Sequence, residues 1–271
     1  MNLRGLLNSF HRTLARSRLV IRLAILLRNQ CRCIIKYHLS EEADIAKNGE
    51  LWFAQLIAQN SSIFIDVGAN VGNWANLFLV SMLGSGKGLL FEPSEYAIEK
   101  LNQRFGQAAD IEVIQLAVAD MPGKMTFFEE PDAGETSSLV PEFSNLSAIK
   151  KWVNVTTLDI EVEKRQLKHI DFLKIDAEGY DFHVLRGSSG LLSQQQIGVI
   201  QFEYGKAWAI AGSTLAAALN FLKSFGYQVF LLKSTGLFEI NYSLYGEYFE
   251  YSNFVAVSPN KIINVKPFIR G

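Results

Sequence analysis

Cysteine is scarce: Cys31 and Cys33 are the only two in the chain. They stand too close for a disulfide framework, and no second Cys/His cluster offers the other half of a zinc site, so a reducing compartment fits best. Long apolar runs are missing as well. The best, LVIRLAILL at 19–27, is interrupted by Arg22 and flanked by Arg18 and Arg28, short of the ~20 apolar residues that span a bilayer. It comes late and no small-x-small cleavage site follows it, which argues against a signal peptide. The expectation is a soluble, cytoplasmic protein. Acid is absent from one end only, because residues 1–40 hold eight Lys/Arg and neither Asp nor Glu, leaving 18 basic against 27 acidic residues beyond them. A body that acidic argues against a general nucleic-acid binder. No repeat or low-complexity tract is present. With 49% apolar and 20% charged residues over 271 positions, the chain can bury a substantial core in one main domain.

Two parts are expected, a basic amphipathic helical segment at 1–40 and a catalytic domain at 41–271. In the first, Leu3, Leu6, Leu7, Phe10 and Leu14 fall at helical spacing, as do Val20, Ala24, Leu27 and Cys31, with arginines interleaved. Such a helix can lie on an anionic membrane surface, giving peripheral contact with a membrane's inner face. It can equally pack on the body or on a second subunit. In the second part a helix is expected from SEEAD through ELWFAQLIAQ, followed by apolar strand-like runs: IFID at 63, LLFEP at 89, IEVIQLAV at 111, DFLKID at 171, GVIQFEY at 198, YQVFLL at 227 and FVAV at 254. Most are apolar throughout, as strands covered on both faces are. Helical stretches separate them, including WANLFLVSML, EYAIEKLNQRF and one long helix through KAWAIAGSTLAAALNFLKSF. The alternation predicts an α/β fold with a doubly wound, mainly parallel seven-stranded sheet and helices on both faces. Two stretches break the rhythm: MTFFEE to VNVTTLDI, expected as an inserted hairpin or lid, and the aromatic run from Phe238 to Phe254. Either can touch an acceptor, because loops at the carboxyl ends of strands shape the site in open α/β sheets. For the aromatic run a closing hairpin with its own small core is the plainer alternative.

Chemistry gathers where the first strand ends. IFIDVGANVGNWA delivers the chain into Gly68, Asn70 and Gly72 and then a helix, an arrangement that lets a ligand rest on bare backbone at a helix N-terminus. Asn70 is the non-glycine type that best tolerates left-handed geometry. Gly68, Asn70 and Asn73 occupy the three positions of a dinucleotide G-x-G-x-x-G, so two glycines are missing, and no P-loop G-K-[ST] follows. Twenty residues past Gly72, LLFEP closes the next strand with Glu92, a carboxylate placed to accept from the vicinal hydroxyls of a ribose and to repel a 2′-phosphate. Taken singly, Asp66 reads as a helix-capping carboxylate and Glu92 as a surface acid. Together on consecutive strands they favour a ligand site.

D-x-G-x-N-x-G resembles the first motif of class I S-adenosylmethionine-dependent methyltransferases. The ordered set FIDVGANVGNWA, FEPS, LAVADMPGKMTFF, VTTLD, DFLKIDAEGYDFHVLRG and IQFEY, over roughly residues 60–205, resembles the FkbM-like methyltransferases among them. The resemblance implies S-adenosyl-L-methionine as cofactor and carries roles with it. Asp66 would orient the glycine turn and receive the methionine amino group, Gly68 and Gly72 would face the amino-acid part, and Glu92 would hold the ribose. LAVAD, with Ala117, would flank the adenine, and Asp120 is a further candidate there.

On the acceptor side DFLKIDAEGYD ends its strand with Asp176, followed by Glu178 and Asp181, and IQFEY ends the next with Glu203. Close carboxylates raise one another's pKa, which leaves a general base, hydrogen bonds to acceptor hydroxyls, or a divalent metal such as Mg²⁺ or Ca²⁺ open. With no third ligand identified, no metal is assigned. Asp176 ranks first, Glu203 and Glu178 next, and His183 last, since a lone helical histidine is more often structural. Lys174 is expected to pair with a carboxylate at its strand end. Arg186 reads as a helix end, or as a partner for an acidic acceptor. The function expected is O-methylation of a hydroxyl on a sugar, glycan or secondary metabolite. The alternatives are a non-catalytic nucleotide-binding module recruited by its basic segment and a nicotinamide-dependent oxidoreductase, which the missing glycines disfavour.

Overall fold

The structure, a computed structural model, describes residues 3–39, 43–84, 86–130, 137–140 and 148–270. The chain divides into two compact units, Met1–Ser40 and Glu41–Gly271. The first holds α1 (Leu3–Leu14) and α2 (Arg18–Leu39). Between them the helical ladder runs down through a tight turn in which Arg16 and Ser17 donate to the carbonyls of Thr13 and Leu14.

The second unit begins its regular structure with α3 (Glu50–Ala58), β1 (Ile63–Val67), α4 (Asn73–Ser81), β2 (Lys87–Phe91), α5 (Glu95–Phe105) and β3 (Ile111–Ile114). A side group follows, made of β4 (Ala117–Val118), β5 (Gly123–Glu129) and β6 (Ile149–Thr156), and then α6 (Leu158–Lys164), β7 (Ile170–Ile175), α7 (Asp181–Arg186), α8 (Ser189–Ser193) and β8 (Ile197–Tyr204). The chain closes with α9 (Ala207–Ile210), α10 (Leu215–Ser224), β9 (Gln228–Lys233), β10 (Gly236–Glu239), β11 (Ser252–Val257) and β12 (Ile269–Arg270).

The main sheet has the order β12-β10-β9-β11-β8-β7-β1-β2-β3. From β3 to β8 all neighbours are parallel, and β11 enters antiparallel to both β8 and β9. Each of β7, β8 and β11 is buried nearly throughout, which is why their sequences are apolar without alternation. Nine strands stand where seven are expected. The additions, β10 and β12, extend one edge, and IEVIQLAV splits, leaving β3 in the main sheet while β4 joins β5 and β6 in a three-stranded one. β5 and β6 are the expected inserted hairpin, antiparallel from Gly123↔Val155 to Glu129↔Ile149. Residues 131–136 of its polar loop lie outside the described residues.

Helix packing on the sheet is largely aromatic. The Trp74 ring, from the first turn of α4, stacks on Phe172 of β7 at 5.4 Å and on Phe78 at 5.1 Å, and Phe64 of β1 meets Phe78 at 4.9 Å. Two helices are shorter than their periodicity predicts. The segment 206–225 breaks into α9 and α10 because Gly212 turns left-handed at φ 71° and the Thr214 side chain accepts from Ala217 N, capping a new helix. Upstream, residues 43–49 form turns rather than helix. α3 starts only after Gly49 at φ 101°, where the Asn48 side chain accepts from Glu50 N at 2.9 Å; Ser40, Glu41 and Glu42 lie outside the described residues.

Candidate active site

The parallel strands β1, β2, β7 and β8 all point their carboxyl ends at one cavity of about 620 Å³, within the size of a cofactor cleft. Gly68 sits at the first strand end with φ 79°, and a Cβ there would lie 1.8 Å from the carbonyl oxygen of Asp176 at the end of β7. A Cβ on Gly72, at φ 80°, would strike the side chains of Phe105 and Leu101 on α5 at 2.5 and 2.8 Å. The glycines therefore admit neighbouring parts of the chain itself, and Gly72 forms no part of the cavity wall, contrary to the ligand-facing role expected for it. Asn70 takes the left-handed conformation predicted, at φ 47°.

Glu92 is buried and fixes this turn to β2. Its two carboxylate oxygens accept from Asn70 N and Ser94 N, each at 2.9 Å. It is no surface acid. Burial pushes its carboxyl up to about 7 against the pull of those two N–H groups. One lone pair of each oxygen is thereby engaged, leaving acceptor capacity on a residue that lines the cavity. Asp66 is fully buried on β1, below the cavity and not among its lining residues. Its Cα partner across the sheet is Lys174. Both of its oxygens lack a hydrogen-bond partner among the described residues. Burial drives its carboxyl up to about 7, with Lys174 pulling it down and Asp176 and Glu50 pushing it up. It thus neither caps α4 nor holds the turn by a hydrogen bond.

Asp176, Glu178 and Glu203 converge on the cavity from the ends of β7 and β8. Lys174 Nζ donates to Asp176 Oδ2 at 2.7 Å, the expected pairing, and stands 5.6 Å over the Trp74 ring. Burial alone would lower the Lys174 ammonium, but Asp176, Asp66 and Glu50 outweigh it and hold it above its ordinary value. Glu203 is held well above its ordinary value by burial first and then by the charges of Asp176, Glu178 and Asp181. Asp181 is fully buried, accepts from Gly179 N and Glu203 N at 3.2 Å each, and is pushed to about 7 by burial and by Asp176. Among the described residues no group of three His, Cys, Asp or Glu side chains could hold a metal ion.

His183 does not reach the cavity. It stacks on Tyr180, and its ring lies 3.3 Å from Asp120, whose carboxylate pairs with Arg186 at 2.6 Å. Asp120 and Arg186 are thus occupied with each other, and neither lines the cavity. Of the aromatic run only Tyr251 lines the cavity. Its neighbours brace Tyr204, whose hydroxyl accepts from Tyr248 N and Phe249 N at 3.2 and 2.8 Å.

Three wall residues carry no local sequence signal. Glu50, first residue of α3, accepts from Gln201, Asn253, Asn48 and Tyr251 side chains at 2.7–3.2 Å. The Asn-Gly-Glu start of an apolar helix is what a helix cap looks like, and apart from Asn48 the partners lie 151 to 203 residues away. Ser138, beside the undescribed loop, donates to the carbonyl of Glu178 at 2.7 Å and sets one cavity edge. Trp74 lines the cavity, and among the described residues neither its Nε1 nor Asn70 Oδ1 has a hydrogen-bond partner. Buried polar atoms ordinarily find partners, so a donor and an acceptor orphaned at one cavity wall fit a polar, nucleoside-type ligand, with Ala117 of β4 as apolar floor.

A doubly wound sheet with a left-handed turn after β1, a carboxylate after β2 and a ligand-sized cleft at the strand ends defines a Rossmann-like α/β fold. The methyltransferase FkbM domain model matches residues 66–229, more than half of the chain, and the chain belongs to that family. A search of curated proteins found no match. Among solved structures, the methyltransferase FkbM from Methylobacillus flagellatus KT is similar at TM-score 0.48 and 15% identity over 72% of this chain, which spans only 44% of that protein's length. A Streptococcus mutans methyltransferase in complex with SAH is similar at TM-score 0.44 and 14% identity, covering 78% of this chain and 98% of that one. An rRNA methylase from Streptococcus thermophilus reaches 0.43 at 14% identity, covering 78% and 97%.

Proposed function

We propose that this protein is a methyltransferase that uses S-adenosyl-L-methionine and transfers its methyl group to a hydroxyl of a sugar, glycan or secondary metabolite. The observation that carries the cofactor reading is the cavity wall shared by the β1 turn and Glu92, where Asn70 Oδ1 and Trp74 Nε1 have no hydrogen-bond partner among the described residues and Glu92 keeps acceptor capacity to spare. Glu92 would hold the ribose, Ala117 would lie against the adenine, and the Asp66 carboxylate below Gly68 would favour the cationic methionine end through its field. When bound, the cofactor supplies an electrophilic methyl on a sulfonium.

A hydroxyl acceptor must lose a proton as it attacks, and Glu203 is the group suited to take it. A base is most effective when its pKa lies near the working pH, and burial among Asp176, Glu178 and Asp181 lifts Glu203 in that direction. Asp176 is held in an ion pair by Lys174, which suits it to accept a hydrogen bond from the acceptor and keep the attacking oxygen in line. Alignment of this kind is worth up to ~7 kcal/mol or more in ideal cases. This reverses the order expected from sequence, in which Asp176 came first.

The test is transfer of label from methyl-labelled S-adenosylmethionine into a cell extract, alongside calorimetry with S-adenosylhomocysteine. Binding with label recovered on a hydroxyl supports the reading. Binding without transfer favours a nucleotide-binding module, and NADH binding instead of S-adenosylhomocysteine would reinstate the oxidoreductase.

A further inference from the structure

The acid-free first unit poses a question that methyl transfer leaves untouched. On α1, Leu3, Leu6, Leu7 and Phe10 fall on one side of the helix, and all four are solvent-exposed. At 3.6 residues per turn, the five basic residues of α2 from Arg18 to Lys36 share a sector of about 120°, which among the apolar residues of α2 only Ile21, Ile25 and Leu39 enter. Leu19, Leu23, Leu27 and Ile34 occupy the opposite side and are likewise exposed. Contiguous apolar surface of this extent, rimmed by charge of one sign, marks a docking face.

We infer that α1 and α2 lie along an anionic lipid surface, apolar sides in the acyl boundary and arginines among the headgroups. Charge decides between occupants. Two copies of this unit joined by their apolar sides would bring close two segments that each carry eight Lys/Arg and no acid, a repulsive pairing. A nucleic acid would match the charge and leave the leucines in water. An anionic bilayer answers both sides of the helices at once. Neither helix can thread through it, since no described helix is long and apolar enough to cross a membrane; a helix of 22 residues, α2, lies flat along roughly 33 Å of surface.

The test is co-sedimentation of the full chain with vesicles of phosphatidylcholine alone or with one-third phosphatidylglycerol, read without cofactor so that it is independent of the proposed methyl donor. The full chain should pellet with the anionic vesicles and stay in solution with the neutral ones. Reversing Arg12, Arg18 and Arg22 to Glu should weaken binding by about tenfold or more, at roughly 1 kcal/mol per surface charge. Phe10→Asp with Leu23→Asp should weaken it comparably at low salt, and both variants should keep the thermal midpoint of the parent, showing that the body still folds. Equal pelleting of parent and variants, equal pelleting with neutral vesicles, or a chain that self-associates and ignores both vesicles would each overturn the inference.

Discussion

At the end of β2, Glu92 gives one oxygen to each of two main-chain N–H groups and so ties the glycine turn in place. At the ends of β7 and β8 the carboxylates of Asp176, Glu178 and Glu203 crowd one another, with Asp181 beneath them and the Lys174 ammonium beside Asp176. Both halves of the cleft are acidic, yet in the first the carboxylate holds the shape of the turn, whereas in the second burial and neighbouring carboxylates hold the Glu203 carboxyl well above its ordinary value. Neutral N–H partners fix a geometry without settling a charge, whereas like charges gathered in a buried place make protonation the variable that relieves them.

The strongest blow to the comparison is one that strikes both halves. Gly68→Ala would place a methyl 1.8 Å from the Asp176 carbonyl in a left-handed backbone, so it should cost about 3 kcal/mol or more of stability in a denaturant melt and displace the β7 end as well. Full stability in that variant would contradict the close strand contact. Next, Glu203→Gln should leave S-adenosylhomocysteine affinity within about twofold while lowering kcat by ~100- to 10,000-fold, the usual range for a lost general base, and Asp176→Asn should likewise spare that affinity while lowering kcat through lost alignment. The Glu203 change should also flatten the pH–rate profile, which the Asp176 change should not. Unaltered turnover in both removes the second half from the chemistry.

Glu92→Gln sharpens the first half. Its amide nitrogen cannot accept, so one of the two N–H groups it serves loses its partner; cofactor affinity measured by calorimetry should weaken by about 1.5–3 kcal/mol with kcat less affected at saturation. The smallest effect is electrostatic. Asp66, Glu92 and Asp181 are raised to about 7 in the fold from ordinary values near 4. Between those values the folded protein retains protons that the unfolded chain releases, so their contribution to stability is full below about 4 and is lost as the pH rises through 7. Melting temperature should therefore fall from pH 5 to pH 8. Asp66→Asn should reduce that slope and stabilise the protein at pH 8 by at most ~4 kcal/mol, three pKa units' worth. An unchanged slope would mean that Asp66 ionises as freely in the fold as in water.

Much of the sheet was legible because its strands are buried on both faces, and IFID, DFLKID and GVIQFEY announce that by apolar runs without alternation. β10 and β12 were not, since edge strands of four and two residues leave no periodicity to read. The helix break at Gly212 was written in Gly-Ser-Thr, but an apolar helical pattern on both sides obscured it. In the site, Asn70, Glu92 and the carboxylates of β7 and β8 stand on consecutive strand ends that motif spacing locates. Glu50 and Tyr251 were hidden, because they belong to a network joined across more than 150 residues.

The order of residues alone established the doubly wound plan, the family motifs and the basic amphipathic first segment, all of which are written in spacing of a few residues that local geometry enforces. Tertiary structure alone decided that Gly72 makes room for α5, that His183, Asp120 and Arg186 occupy one another, and that Asp66 lies sealed below the cavity. Those outcomes depend on which distant side chains share a volume, and on whether water can still reach a charge once they do.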